Sequence, residues 1–156
     1  MDVTPLETAC ARVLEAAAGG PSPARSDGEW PAELVLAHLI TANRAFSVVT
    51  AEVLAGRAPG YDNRASTFRP HLEAVVRASG GWDELVETFR RSGQELMALA
   101  ALLDDEQGAT PIHILIVDDG RTFVDEPRPW AAFLAGSANF HIPLHLDQLA
   151  KLRASA

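Results

Sequence analysis

Apolar residues recur at helical spacing along four long segments of this chain, and glycines and prolines punctuate the gaps between them. That periodicity leaves few architectures open, because each amphipathic helix must bury its apolar stripe against another element. Leu6, Cys10, Val13, Leu14 and Ala17 predict a first helix from Pro5 to Ala18. Thr4, Pro5 and Glu7 read as its N-cap, first helical residue and capping-box partner, with Gly19-Gly20-Pro21 as the stop. A second helix, Pro31 to Leu54, carries Leu34, His38, Thr41, Ala45, Val48, Val49 and Glu52 at helical spacing. Trp82, Leu85, Val86, Phe89, Gly93, Leu96, Ala100 and Leu103 mark a third helix, Trp82 to Leu103. The fourth starts near Pro129 and runs to Arg153, with Trp130, Phe133, Leu134, Ser137, Ala138, His141, His145, Leu149 and Leu152 facing inward.

Two connecting segments carry structure of their own. Pro70 to Ala78 reads as a short helix. Ile112 to Asp125 changes character: Ile114-Leu115-Ile116-Val117 favours strand, Asp118-Asp119-Gly120 signals a turn, and Thr122-Phe123-Val124 follows. A β-hairpin is the expectation, with an irregular apolar connection over the bundle end as the other reading. The whole, residues 1–156, reads as one all-α domain: a four-helix bundle with a small β-hairpin between helices 3 and 4.

Composition bounds the function. At 47% apolar residues the chain can bury a core without disulfides, and its one cysteine, Cys10, excludes an intramolecular bridge. On the stripe of the first helix Cys10 reads as core packing rather than as a nucleophile. Acidic residues outnumber basic ones 21 to 13, for a net charge of −8, and no basic stripe appears, which argues against a nucleic-acid partner. The N-terminus lacks the basic start and apolar run of a signal peptide. No stretch reads as membrane-spanning, so the expectation is a cytoplasmic protein with no membrane partner.

The chemistry points to histidine. His141 and His145 are four apart, on one face of the fourth helix, and His38 lies on the apolar stripe of the second. A buried imidazole without a partner costs about 1–3 kcal/mol. One divalent metal ion satisfies three at once, and neutral imidazole suits zinc, nickel, copper and iron. Three protein ligands leave positions for water or substrate, the pattern of catalytic zinc. Pro143 falls inside His-x-x-x-His, so the fourth helix should kink near Asn139 or start afresh at His141. Gln148, Asn43, Arg44 and Asn139 are candidates to hold the rings from behind, and Glu52 or Asp147 could close the site as a fourth ligand. His71 and His113 read as loop or surface residues.

The segment Glu33-Leu34-Val35-Leu36-Ala37-His38-Leu39-Ile40, with the later Phe140-His141-Ile142-Pro143-Leu144-His145-Leu146-Asp147-Gln148-Leu149, resembles the DinB/YfiT-like superfamily. That superfamily includes the metal-binding domain of mycothiol-dependent maleylpyruvate isomerases. The resemblance implies an up-down-down-up bundle, often a homodimer, with His38, His141 and His145 as the metal triad. It implies a zinc or nickel ion and metal-dependent chemistry with a low-molecular-weight thiol on a small electrophilic substrate, of the S-transferase or isomerase type. The chain departs from the common pattern at Pro143 and at Leu146-Asp147, where Arg-Gly is frequent. The second reading is a noncatalytic helical bundle that binds a ligand or partner, with its metal structural or absent.

Overall fold

The computed structural model describes residues 1–24, 26 and 28–154. Its elements in chain order are α1 (Thr4–Ala17), α2 (Ala32–Leu54), β1 (Gly60–Asp62), α3 (Arg64–Thr67), α4 (Arg69–Ser79), α5 (Trp82–Ala100) and α6 (Asp105–Gly108). Then follow β2 (Pro111–Asp118), β3 (Arg121–Pro129), α7 (Trp130–Gly136), a π-helical turn (Ser137–His141) and α8 (Ile142–Arg153).

This overturns the four-helix bundle with a small hairpin. The helical part is divided among more and shorter pieces, and the strands form a three-stranded mixed sheet in the order β1-β2-β3. The antiparallel pair β2–β3 turns at Asp119-Gly120, both with positive φ, as a tight two-residue hairpin requires. It continues past the expected hairpin to Pro111↔Pro129, and β1 adds to its other edge in parallel, Tyr61 opposite Ile114. Three residues after Pro59 carry no alternation to read, so β1 is created by its partner.

Other local expectations also change. Thr4 is inside α1 rather than its cap; Val3 occupies the N-cap, and the Thr4 N–H donates to the Asp2 carboxylate at 2.9 Å. The third long helix ends at Ala100, and Asp104 then caps α6 in a capping box with Gln107. Val48 lies on the solvent side of α2, 63% exposed. α2 is also long and apolar enough to meet the length and composition of a membrane span, contrary to the sequence expectation. Most of that apolar window is buried inside the fold, where α2 serves as the core helix.

Two large apolar clusters surround α2, and a smaller third joins its Leu34 and Ala37 to Leu72 of α4. Around the N-terminal half of α2, Leu36 and Ile40 pack with Val13 of α1, Phe89 of α5, and Ile142 and Leu149 of α8. Around its C-terminal half, Phe46 and Val53 pack with Tyr61, Leu96, Ile112, Ile114, Trp130 and Leu134. The second cluster joins sheet to helices, and the Trp130 indole N–H anchors it by donating to Thr50 Oγ1 of α2 at 3.0 Å. His38 lies on α2 within the span of the first cluster, between Leu36 and Leu39.

Candidate metal centre

Three elements bring the histidines together. α2 supplies His38, the π turn supplies His141, and α8 supplies His145. The π turn is where Pro143 acts. A proline at this point removes the N–H that would bond the Asn139 carbonyl and crowds that carbonyl. The chain widens one turn instead: the Ile142 N–H donates to Ser137 O, five residues back, and Pro143 falls in the first turn of α8. Such one-turn widenings are frequent at functional sites.

The rings converge. Ring centroids lie 5.0 Å apart for His38–His141, 4.5 Å for His38–His145 and 4.8 Å for His141–His145. One nitrogen from each ring lies within 4.8 Å of the other two. His38 Nε2 and His141 Nε2 are 2.8 Å apart. His38 and His145 are buried, and His141 is half-buried.

The surrounding hydrogen bonds set the tautomers. A carbonyl oxygen only accepts, so His38 Nδ1 must donate to Ser66 O at 2.6 Å, which leaves a lone pair on Nε2. His145 Nδ1 donates to Gln148 Oε1 at 3.0 Å and frees its own Nε2. With His38 Nε2 unprotonated, the 2.8 Å contact requires a proton on His141 Nε2; Ser137 Oγ lies 3.5 Å from His141 Nδ1. Moving that proton to Nδ1 would free the third lone pair.

Burial keeps the cluster neutral. It lowers His38 to about 4, helped by the neighbouring His145 and opposed by the bond to Ser66. Burial and then the His38 and His145 charges push His141 well below the usual range, and burial lowers His145 against the pull of Gln148. Neutral imidazoles are the ligand form for a metal. At metal–nitrogen bonds of about 2.0–2.1 Å, a tetrahedral site separates its nitrogens by about 3.3 Å. The His38–His141 pair would therefore open by roughly half an ångström, and the donor set otherwise fits a divalent ion.

The remaining candidates are less central. Gln148 holds His145, as expected of a supporting residue. Asn43 instead donates to Ser92 Oγ between α2 and α5, and Arg44 and Asn139 are exposed. Glu52 pairs with Arg57 and Asp147 faces solvent, so neither closes the site; among the described residues the cluster has three members. His113 pairs with Asp125 on the sheet at 2.7 Å, and His71 is exposed. Cys10 is buried among apolar side chains, and burial pushes its thiol up to about 11, consistent with core packing.

Sequence reasoning missed the support behind His38. Ser66 contributes a backbone carbonyl, which every residue type offers, so no signal marks it. Asn63 anchors that carbonyl. Its side chain donates to Val117 O at 3.0 Å and accepts from Val117 N at 2.8 Å, opposite the bulge that Phe123 makes in β3. Its own carbonyl accepts from Ser66 N and Ser66 Oγ at 2.9 and 2.8 Å.

Two clefts reach the cluster. One, of about 690 Å³, opens over His38 and His141 between Phe46, Tyr61, Phe133 and Leu144. The other, of about 600 Å³, reaches all three histidines between Trp30, Phe123 and Gln148. Fold and site together define a mixed helix-and-sheet protein with a largely buried three-histidine cluster that could hold a metal ion. Comparison with protein-family models, with curated proteins and with solved structures finds no match.

Proposed function

We propose that His38, His141 and His145 bind one divalent metal ion, zinc or nickel, and that the protein is a metal-dependent enzyme of the thiol S-transferase or isomerase type. The observation that carries this reading is the convergence of three neutral rings, two of them with Nδ1–H bonded outward to Ser66 and Gln148. Such outward bonds fix a ligand histidine's tautomer and orientation. A metal with open positions lowers the pKa of a bound thiol or water, so that an anionic nucleophile exists at neutral pH. The chain's own part is to orient the rings, exclude water behind them and hold a small electrophile in the adjoining cleft. The motif resemblance to DinB/YfiT-like proteins supports a low-molecular-weight thiol as cosubstrate, and the single cysteine, Cys10, fits a reducing, cytoplasmic setting.

The test is the metal content of untagged protein by mass spectrometry, beside His145→Ala. Close to one ion per chain, lost in the variant, is the expected result. No metal in either protein after reconstitution would sink the reading.

A second reading, a noncatalytic ligand-binding protein, is favoured by one contact. The 2.8 Å His38–His141 bond satisfies both rings without an ion. A screen of electrophiles with several biological thiols separates the two, since turnover that disappears on chelation excludes the noncatalytic protein.

A further inference from the structure

The cleft over His38 and His141 has a wall chemistry that selects its occupant. Phe46, Tyr61, Ile116, Phe133 and Leu144 line it, and its volume of about 690 Å³ is that of a pocket for a small organic molecule. Phe46 and Tyr61, both buried, back the half-buried Phe133 at centroid distances of 5.7 and 5.3 Å, so the cleft has an aromatic wall with Phe133 as its most accessible ring. Flat rings pack well on such a surface, edge to face or offset.

The wall offers little to an anion. Its guanidinium, Arg128, is engaged: Nη2 and Nε both donate to Glu126 Oε1, at 2.6 and 2.9 Å. The Glu126 carboxylate offsets the Arg128 charge, and an anionic ligand would approach a chain of net charge −8. Burial holds the Tyr61 phenol in its neutral form.

A second, independent observation comes from Gly136. It has ordinary helical backbone angles, φ −60° and ψ −39°, where glycine weakens a helix. Elsewhere a close neighbour accounts for a helical glycine: a Cβ on Gly93 would come 3.3 Å from Cys10 Sγ, and one on Gly108 3.1 Å from the Ala131 methyl. A Cβ on Gly136 meets no heavy atom within 4 Å. Gly136 lines the cleft, so the missing side chain leaves room there that packing does not require.

We propose that this cleft receives an uncharged, ring-bearing small molecule, seated against Phe133 with its reactive group over His38 and His141. The molecule's role as substrate rests on the metal-centre reading; its binding does not.

The test uses two fluorescent probes of the same ring system, neutral N-phenyl-1-naphthylamine and anionic 8-anilino-1-naphthalenesulfonate. Each is titrated into the zinc-treated and the chelated full chain, into Gly136→Phe and into His145→Ala. The neutral probe should saturate at a single site and bind at least about tenfold more tightly than the sulfonate. Gly136→Phe should weaken it by about tenfold or more with an unchanged circular dichroism spectrum, while His145→Ala retains it. Should Gly136→Phe fail to fold, Ala132→Phe, on the same wall, serves as the blocking variant. Equal affinity for the two probes, unchanged affinity in a folded blocking variant, or no saturable binding overturns the proposal. Probe binding without metal content leaves this proposal standing and removes the metal centre. Metal content without probe binding does the reverse.

Discussion

The carbonyl oxygen of Ser66 lies 2.6 Å from Nδ1 of His38, a buried contact made across 28 residues of chain. It ties the only histidine of α2 to a short helix that the sheet holds in place. The tether runs from β2 through the Asn63 side chain to Ser66 and so to the imidazole. Sheet and histidine cluster are therefore linked by one chain of hydrogen bonds.

Breaking that tether should weaken the site without emptying the core. Asn63→Ala removes both bonds to Val117, and we expect a stability loss of about 1–3 kcal/mol. Metal affinity should fall about 10- to 100-fold, as for other residues that orient a ligand histidine. Competition against a chromophoric chelator measures the affinity, and unaltered affinity in a folded variant would disprove the coupling.

Pro143→Ala should separate stability from binding. The variant regains an N–H and relieves the crowding at Asn139, so the π turn can close into a regular helix. Closure would rotate His141 relative to His145. Chelated Pro143→Ala should melt at or above the wild-type temperature yet bind metal more weakly. A variant that binds as tightly as wild type would show that the wide turn is incidental to the site.

Metal should stabilise the fold by mass action. At a free zinc concentration 100 times Kd, binding to the native state contributes about 2.7 kcal/mol, a rise of several degrees in melting temperature for a chain of this size. His145→Ala should lose this response while keeping a cooperative transition. Calorimetry with and without zinc is the measurement.

The chelated protein should lose stability in mild acid. The three imidazoles have folded-state values below their unfolded ones, His38 at about 4. Below an unfolded value of about 6.5 the unfolded chain therefore binds more protons. The contribution is complete above that pH and is lost as pH falls toward 4. Denaturant melts at pH 7.5 and 5.0 should show the drop, and a variant with all three histidines replaced by glutamine should show less of it.

Much of the candidate site was legible in the sequence, and less of the fold. His38, His141 and His145 could be assigned to inward faces because a helix repeats every 3.6 residues, and that repeat is local. The break around Pro143 was legible for the same reason: it follows from one missing N–H. The four-helix bundle failed where pairing is non-local. Nothing in Gly60-Tyr61-Asp62 announces a strand until β2 lies beside it, and nothing in Ser66 announces a hydrogen-bond acceptor for His38. Val48 fits the apolar spacing of α2 and still faces solvent, because the stripe is narrower than the run of apolar residues.

By itself, then, the sequence determined where α1, α2, α4 and α5 lie, the turn at Asp119-Gly120 and the faces on which the histidines lie, all consequences of backbone geometry within a few residues. Tertiary structure decided the mixed sheet, the tautomers of His38 and His145, the neutrality of the cluster and the cleft beside Gly136. These depend on which carbonyl, ring or empty space ends up across from a side chain, and packing of distant segments settles that.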